Sequence, residues 1–162
     1  MKFNQFTTTL VFTLLSGAAL ASGSHADGHG KTDAIGKPGK ASSVTRTINI
    51  DMNDTMRYTP ASIDVKQGET IKFIVKNSGK IKHEMTIGAM KDLIAHAEQM
   101  KKNPGMEHDE PNTASLAPGK TGEIIWQFTT AGKVDFACLE AGHFDAGMKG
   151  AVSVASAKAL KH

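Results

Sequence analysis

Apolar residues recur at every second position through most of the chain from Val44 onward. Ile48, Ile50 and Met52 alternate with polar neighbours, and the same beat returns at Ile63 and Val65, at Ile71, Phe73 and Val75, and at Ile124, Trp126 and Phe128. It returns again at Val134, Phe136 and Cys138, and at Val152 and Val154. A strand turns successive side chains to opposite faces, so this period predicts half-buried strands with one face on a core. Turn formers separate the runs: Thr59-Pro60, Gln67-Gly68, Asn77-Ser78-Gly79, Ala117-Pro118-Gly119 and Ala131-Gly132. Short strands at such intervals predict an all-β fold, an antiparallel sandwich. One segment has another period. In MKDLIAHAEQMKKNPG, residues 90 to 105, Leu93, Ala97 and Met100 fall at i, i+4 and i+7 before Asn103-Pro104-Gly105. That spacing predicts a short amphipathic helix inserted in a long loop.

The first 43 residues lack the strand pattern. Lys2 precedes a mostly apolar, uncharged stretch around Thr9 to Leu20, and Ala19-Leu20-Ala21 is followed by Ser22. This predicts a secretory signal peptide over 1–21, cleaved after Ala21. The stretch is too short for a comfortable membrane span of ~20 apolar residues, and no later segment approaches that length, so a soluble mature protein without stable membrane insertion is expected. Residues 22–43, SGSHADGHGKTDAIGKPGKASS, have almost nothing to bury and predict a flexible arm carrying His25 and His29. Residues 44–162 then form one domain, expected as a monomer. The net charge of +3 is spread without a basic run or interleaved aromatics, which argues against nucleic acid as a partner. No glycine-rich phosphate loop or Ser-His-Asp set can be read from the spacing, and the protein is not expected to be an enzyme.

Cys138 is the single cysteine, and it opens CLEAGHFDAGMKG, with His143 five positions on and Met148 five beyond that. In an oxidising compartment a lone cysteine is buried and inert, paired between chains, or bound to metal. By itself it would pack as a small hydrophobe. Its neighbours favour the metal. Val134, Phe136 and Cys138 share the inward face of one strand, and Gly142, Gly147 and Gly150 let the following loop fold back over the sulfur. A second imidazole is then needed. His83 is the best candidate, because His83, Met85 and Ile87 alternate and face the core from another strand; alone, it would read as a solvated or capped histidine. Two imidazoles and a thiolate with a weak axial thioether form the blue-copper arrangement. Structural zinc favours four strong Cys or His ligands, and iron–sulfur clusters want several cysteines. A Cys138 nucleophile with a histidine base would leave Met148 without a role.

CLEAGHFDAGMKG together with the upstream KHEMTIG resembles the cupredoxins, small exported copper proteins of the plastocyanin and azurin superfamily with a Greek-key β-sandwich. GMEHDEPN, 105 to 112, and APGKTGEIIWQF, 117 to 128, are similar to the periplasmic cupredoxins associated with bacterial copper tolerance. The resemblance covers about Val44 to Ser156. It implies one type 1 copper, cycling between Cu(I) and Cu(II), with His83, Cys138 and His143 as equatorial ligands and Met148 as the axial one. It also implies a periplasmic location. One position departs from the pattern: many cupredoxins have Asn or Ser directly after the first histidine, and here that residue is Glu84. A carboxylate there is expected to change the hydrogen bonding to the thiolate.

Further soft ligands surround this set. Met85, Met90, His96, Met100, Met106 and His108 lie in or beside the inserted loop. Met100 is expected to pack under the helix, with His96 solvated. Met106 and His108 stand two apart beside Glu107 and Asp109, a pattern suited to a second copper, as Cu(I). Two functions stay open. One is a copper-tolerance protein that binds or oxidises excess Cu(I); the other is a dedicated electron-transfer cupredoxin in which His143 leads electrons to a redox protein partner. The resemblance and the surplus of Met and His favour copper tolerance. Reducing dioxygen would take further coppers and many more histidines than seven.

Overall fold

The computed structural model describes residues 34–106 and 109–157. The predicted signal peptide, His25, His29 and His108 lie outside these residues. The described strands are β1 (Lys37–Pro38), β2 (Arg46–Asn53), β3 (Arg57–Thr59), β4 (Ser62–Lys66), β5 (Thr70–Asn77), β6 (His83–Gly88), β7 (Thr113–Leu116), β8 (Thr121–Gln127), β9 (Gly132–Ala137) and β10 (Lys149–Ala155), with a short 3-10 helix (Ala41–Ser43) between β1 and β2 and the α-helix α1 (Met90–Lys102) between β6 and β7. They form two five-stranded sheets, ordered β1-β8-β5-β2-β3 and β4-β10-β9-β6-β7, packed as a Greek-key β-sandwich. No helix among the described residues is long and apolar enough to cross a membrane.

The alternating residues supply the core. Ile50, Met52, Ile71, Phe73, Val75, Ile124 and Trp126 face inward from the first sheet, and Ile63, Val65, Met85, Ile87, Val134, Phe136, Val152 and Val154 from the second. Each fully buried aliphatic or aromatic side chain contributes about 1.5–3 kcal/mol. Strand direction differs from the antiparallel expectation. β2 runs parallel to β5, with Ile50 opposite Val75, and β10 runs parallel to β4, with Val152 opposite Ile63. After β3 the chain crosses to the second sheet for β4 and returns to the first as β5, so β5 arrives beside β2 in the same direction. Alternation reports which face is buried and carries no information on direction.

The end of the predicted flexible arm is part of this sandwich. β1 pairs with β8, Lys37 opposite Gln127 and Pro38 opposite Trp126. Ile35 packs against the core, its carbonyl accepts a 2.8 Å hydrogen bond from Trp126 Nε1, and Gly39 N donates to the Ile125 carbonyl at 2.9 Å. Gly36 sits at φ 104°, where a Cβ would strike the Gln127 carbonyl. A two-residue strand is too short to show a period, which is why composition alone suggested an arm.

The helix lies on the outer face of the second sheet. Leu93, Ala97 and Met100 cover Ala137 and Leu139, with Phe144 at the edge. β9 is therefore buried on both faces, Phe136 inward and Ala137 under the helix, and it forms a firm base for Cys138. Replacing Trp126 with Phe removes the bond to Ile35 and leaves part of the buried indole volume empty. The expected cost is about 2–4 kcal/mol in urea unfolding, with amide hydrogen exchange at Gly39 faster than in the wild type.

Candidate metal centre

Two backbone turns bring the donor side chains together. Cys138 directly follows β9 and is wholly buried, and the chain then folds back on itself: His143 N donates to the Glu140 carbonyl at 3.0 Å, Met148 N to the His143 carbonyl at 3.1 Å, and Cys138 N to the Met148 carbonyl at 3.1 Å. Gly142 and Gly147 make this possible with φ of 84° and 93°, a region that side chains disfavour. Gly150 acts differently: the Phe136 ring occupies the space its side chain would need. Arg57 Nη1 donates to the Ala146 carbonyl at 3.0 Å and ties the loop to β3.

The second turn carries His83. Asn77 is buried at the end of β5, where its Nδ2 donates to the Ile81 and Leu116 carbonyls at 2.8 and 2.9 Å and its Oδ1 accepts from Gly79 N at 2.9 Å. This one side chain holds the 78–82 loop against β7 and so sets where β6 begins. His83 is the first residue of β6 and is fully buried.

The donor atoms of His83, Cys138 and His143 lie within 4.8 Å of one another. His143 Nδ1 is 3.3 Å from the Cys138 sulfur, and the two imidazole centroids are 5.0 Å apart at 49°. His83 Nε2 meets Asp54 Oδ1 at 3.0 Å, while its Nδ1 is buried without a hydrogen-bond partner among the described residues. A buried, unpartnered ring nitrogen is costly unless it has a ligand. A metal ion accounts for it. Met148 is wholly buried in the main core at the close of the same loop.

Glu84 enters the site through its backbone. Its N–H donates to the Cys138 sulfur at 3.3 Å, and its carbonyl accepts a 2.5 Å hydrogen bond from the buried Tyr58 hydroxyl. The side chain alternates to the other face of β6, where Oε1 accepts from Thr86 Oγ1 at 2.9 Å. The expected hydrogen-bond effect of Glu84 on the thiolate is thus made by the peptide N–H, which any residue would supply. Tyr58 reaches this carbonyl from the first sheet with its ring edge-on to Phe136, centroids 5.0 Å apart.

Burial pushes the Cys138 thiol up to about 12, against the pull of the Glu84 and Glu140 N–H groups. Burial, then the neighbouring His83, holds His143 below the usual histidine range. The Lys80 N–H and the His83 imidazole hold the Asp54 carboxyl below its ordinary value. The metal-free centre is therefore a neutral thiol beside a neutral His143 at pH 7, a donor set that takes a cation by releasing the thiol proton.

The other soft residues are elsewhere. Met85 and Met100 are buried in the two apolar clusters, Met106 is exposed, and His96 lines a cleft with Asp92 and Glu110 beside α1. Asp54, Tyr58 and Asn77 were not recognised from sequence. Asn77 belonged to a recognised turn; Asp54 and Tyr58 stand in a hairpin and a short edge strand that the two-residue period barely marks.

Comparison with known proteins decides the metal. A family model for copper binding proteins of the plastocyanin/azurin family matches residues 30–155. The chain belongs to the plastocyanin/azurin family. This cupredoxin is 47% identical over 132 residues to the copper-resistant cuproprotein CopI of Rubrivivax gelatinosus, covering 82% of this chain and 79% of that one. It is 34% identical over 166 residues to the protein of the same name from Pseudomonas aeruginosa, covering 83% and 88%. Dithionite-reduced auracyanin from Roseiflexus castenholzii matches with a TM-score of 0.58 and 27% identity over 69% of this chain and 98% of that one. Copper is the metal of the family, and the cluster of His83, Cys138, His143 and Met148 is of type 1 form.

Two outcomes test this centre in the metal-free cupredoxin. Asn77→Ala strands two buried carbonyls, and the expected cost is about 2–4 kcal/mol in urea unfolding. Because the folded thiol titrates far above the ~8.5 of an unfolded chain, its contribution is intact below that pH and is lost as pH rises. Stability should therefore fall as pH rises from about 8.5 toward about 12, and Cys138→Ala should flatten that fall.

Proposed function

We propose that this cupredoxin is a periplasmic copper-tolerance protein that holds one type 1 copper through His83, Cys138 and His143 as equatorial ligands and Met148 as the axial one. The observation that carries the ligand set is the buried, unpartnered Nδ1 of His83 converging with the Cys138 and His143 donors inside 4.8 Å. Bound copper would supply a centre that exchanges one electron between Cu(I) and Cu(II). The chain's own contribution is a soft thiolate in a dry setting, an N–H from Glu84 aimed at the sulfur, and two imidazoles set before the ion arrives. Holding and oxidising or reducing the ion is the proposed role, with no catalysis of a further substrate. Residues 1–21 act in this reading as an export signal that is cleaved off, and 22–43 as the His-bearing arm, whose end packs on the sandwich from Ile35 onward.

Copper tolerance is favoured by the two relatives whose names state copper resistance, at 47% and 34% identity. The second reading, dedicated electron transfer to a redox protein, is favoured by His143, the one member of the triad that is only half-buried and so open to a partner. Growth of a deletion strain on copper against its respiratory rate separates them. Loss of copper growth restored by wild type and not by Cys138→Ser supports tolerance; unchanged copper growth with slowed respiration overturns it.

For the site itself, Cys138→Ser should abolish the sulfur-to-copper charge-transfer colour while circular dichroism stays unchanged. Met148→Leu should still bind copper, with a shifted potential, since an axial thioether is a long and weak bond. Met106 and His108 are proposed to capture a second Cu(I). Anaerobic Cu(I) titration should give two ions for wild type and one for Met106→Ala/His108→Ala; one ion in both removes the second site.

A further inference from the structure

We propose that Asp54 is a positioning residue for the copper centre: its carboxylate fixes the His83 ring with Nδ1 toward the metal, and its charge favours Cu(II) over Cu(I), lowering the reduction potential. This rests on the ligand set proposed above.

Asp54 sits in the turn between β2 and β3, and that turn is tightly determined. Asn53 Oδ1 accepts from Thr55 N at 3.0 Å and from Thr55 Oγ1 at 2.5 Å, Met56 N donates to the Asn53 carbonyl at 3.0 Å, and Met56 stands at φ 60°. From there the carboxylate spans to the loop that precedes β6. Both of its oxygens accept from Lys80 N, at 3.0 and 2.9 Å, and Oδ1 meets His83 Nε2 at 3.0 Å. Gly79 leaves the room for this: its φ is ordinary, but a Cβ on it would collide with Asp54 Oδ1. Turn, glycine and backbone donor converge on one carboxylate.

The consequence for His83 is chemical. A ring whose Nε2–H donates to a carboxylate carries its lone pair on Nδ1, the nitrogen left buried and unpartnered. The imidazole is fully buried and held at Nε2 by the carboxylate, which leaves it no room to rotate away. The negative charge one ring away from the metal stabilises the more highly charged ion more strongly. Glu140, another carboxylate near the centre, is ion-paired with Lys82 at 3.1 Å, whereas the Lys80 contact to Asp54 is a neutral peptide N–H.

The experiment uses the copper-loaded protein and its metal-free form. Asp54→Asn keeps an acceptor oxygen for His83 and removes the charge; Asp54→Ala removes both; Gly79→Ala displaces the carboxylate without altering it. Asp51→Asn is the control, since Asp51 accepts from Ser78 Oγ at 2.8 Å and has no bond to His83. For Asp54→Asn the visible charge-transfer band should persist, and the Cu(II) to Cu(I) affinity ratio should fall about tenfold, an upward shift of ~59 mV for one electron. Asp54→Ala should shift at least as far and weaken Cu(II) binding about 10–100-fold, with Gly79→Ala between the two. In the metal-free wild type, nitrogen NMR should find the His83 proton on Nε2, and Asp54→Ala should populate the other tautomer. An Asp54→Asn potential no different from that of Asp51→Asn overturns the charge role, and an unchanged tautomer in Asp54→Ala overturns the positioning role. A wild-type protein without the visible band would instead refute the ligand set, and the metal-free NMR would still decide whether Asp54 orients His83.

Discussion

The hydrogen bond from the Glu84 N–H to the Cys138 sulfur joins the two strands on which the centre depends. Glu84 lies one residue into β6, and Cys138 lies one residue beyond β9, so this bond fixes how far each strand extends before its loop begins. β6 and β9 are already antiparallel neighbours, with Ile87 opposite Phe136. Near their open end the ladder gives way to a sulfur acceptor, and His83 is the residue just before it. Tyr58 secures the same peptide from the opposite sheet by binding the Glu84 carbonyl. A buried carbonyl, N–H and sulfur are thereby satisfied in one place, and the donors are held by the sandwich itself.

Rigidity is the common theme of the surrounding contacts. A metal centre of fixed geometry needs donors whose positions are already set, and here each loop that carries one is tied down by a separate side chain. Asn77 holds the loop before His83, and Arg57 holds the loop between His143 and Met148. The helix adds a second apolar layer beneath Leu139, which immediately follows the cysteine. His143 is the exception in being half-buried, and it is where the centre comes nearest to solvent.

Burial and hydrogen bonding act against each other at the sulfur. Burial drives the thiol toward its neutral form, and two peptide N–H groups favour the thiolate. Burial wins without a metal. The site is thereby kept protonated and protected until a cation replaces the proton, which also limits disulfide chemistry at the only cysteine.

Much of this was legible in the amino-acid order. The two-residue beat marked the inward residues of most long strands and the i, i+4, i+7 set marked the helix through Leu93, Ala97 and Met100, because both periods are local consequences of backbone geometry; the Cys-x4-His-x4-Met spacing marked the loop through its donor types and its resemblance to the cupredoxins. Local order could not say that β2 lies parallel to β5, that Lys37 and Pro38 form an edge strand, or that Glu84 meets the sulfur through its peptide and not its carboxylate. Nor could it pair Asp54 with His83, 29 residues apart. Those contacts arise when separate strands are stacked and a hairpin turn is laid against a distant loop. Residue types and short spacings determine which side chains can be donors and which face they occupy; only the packing of the two sheets decides which backbone groups and which carboxylate stand behind them.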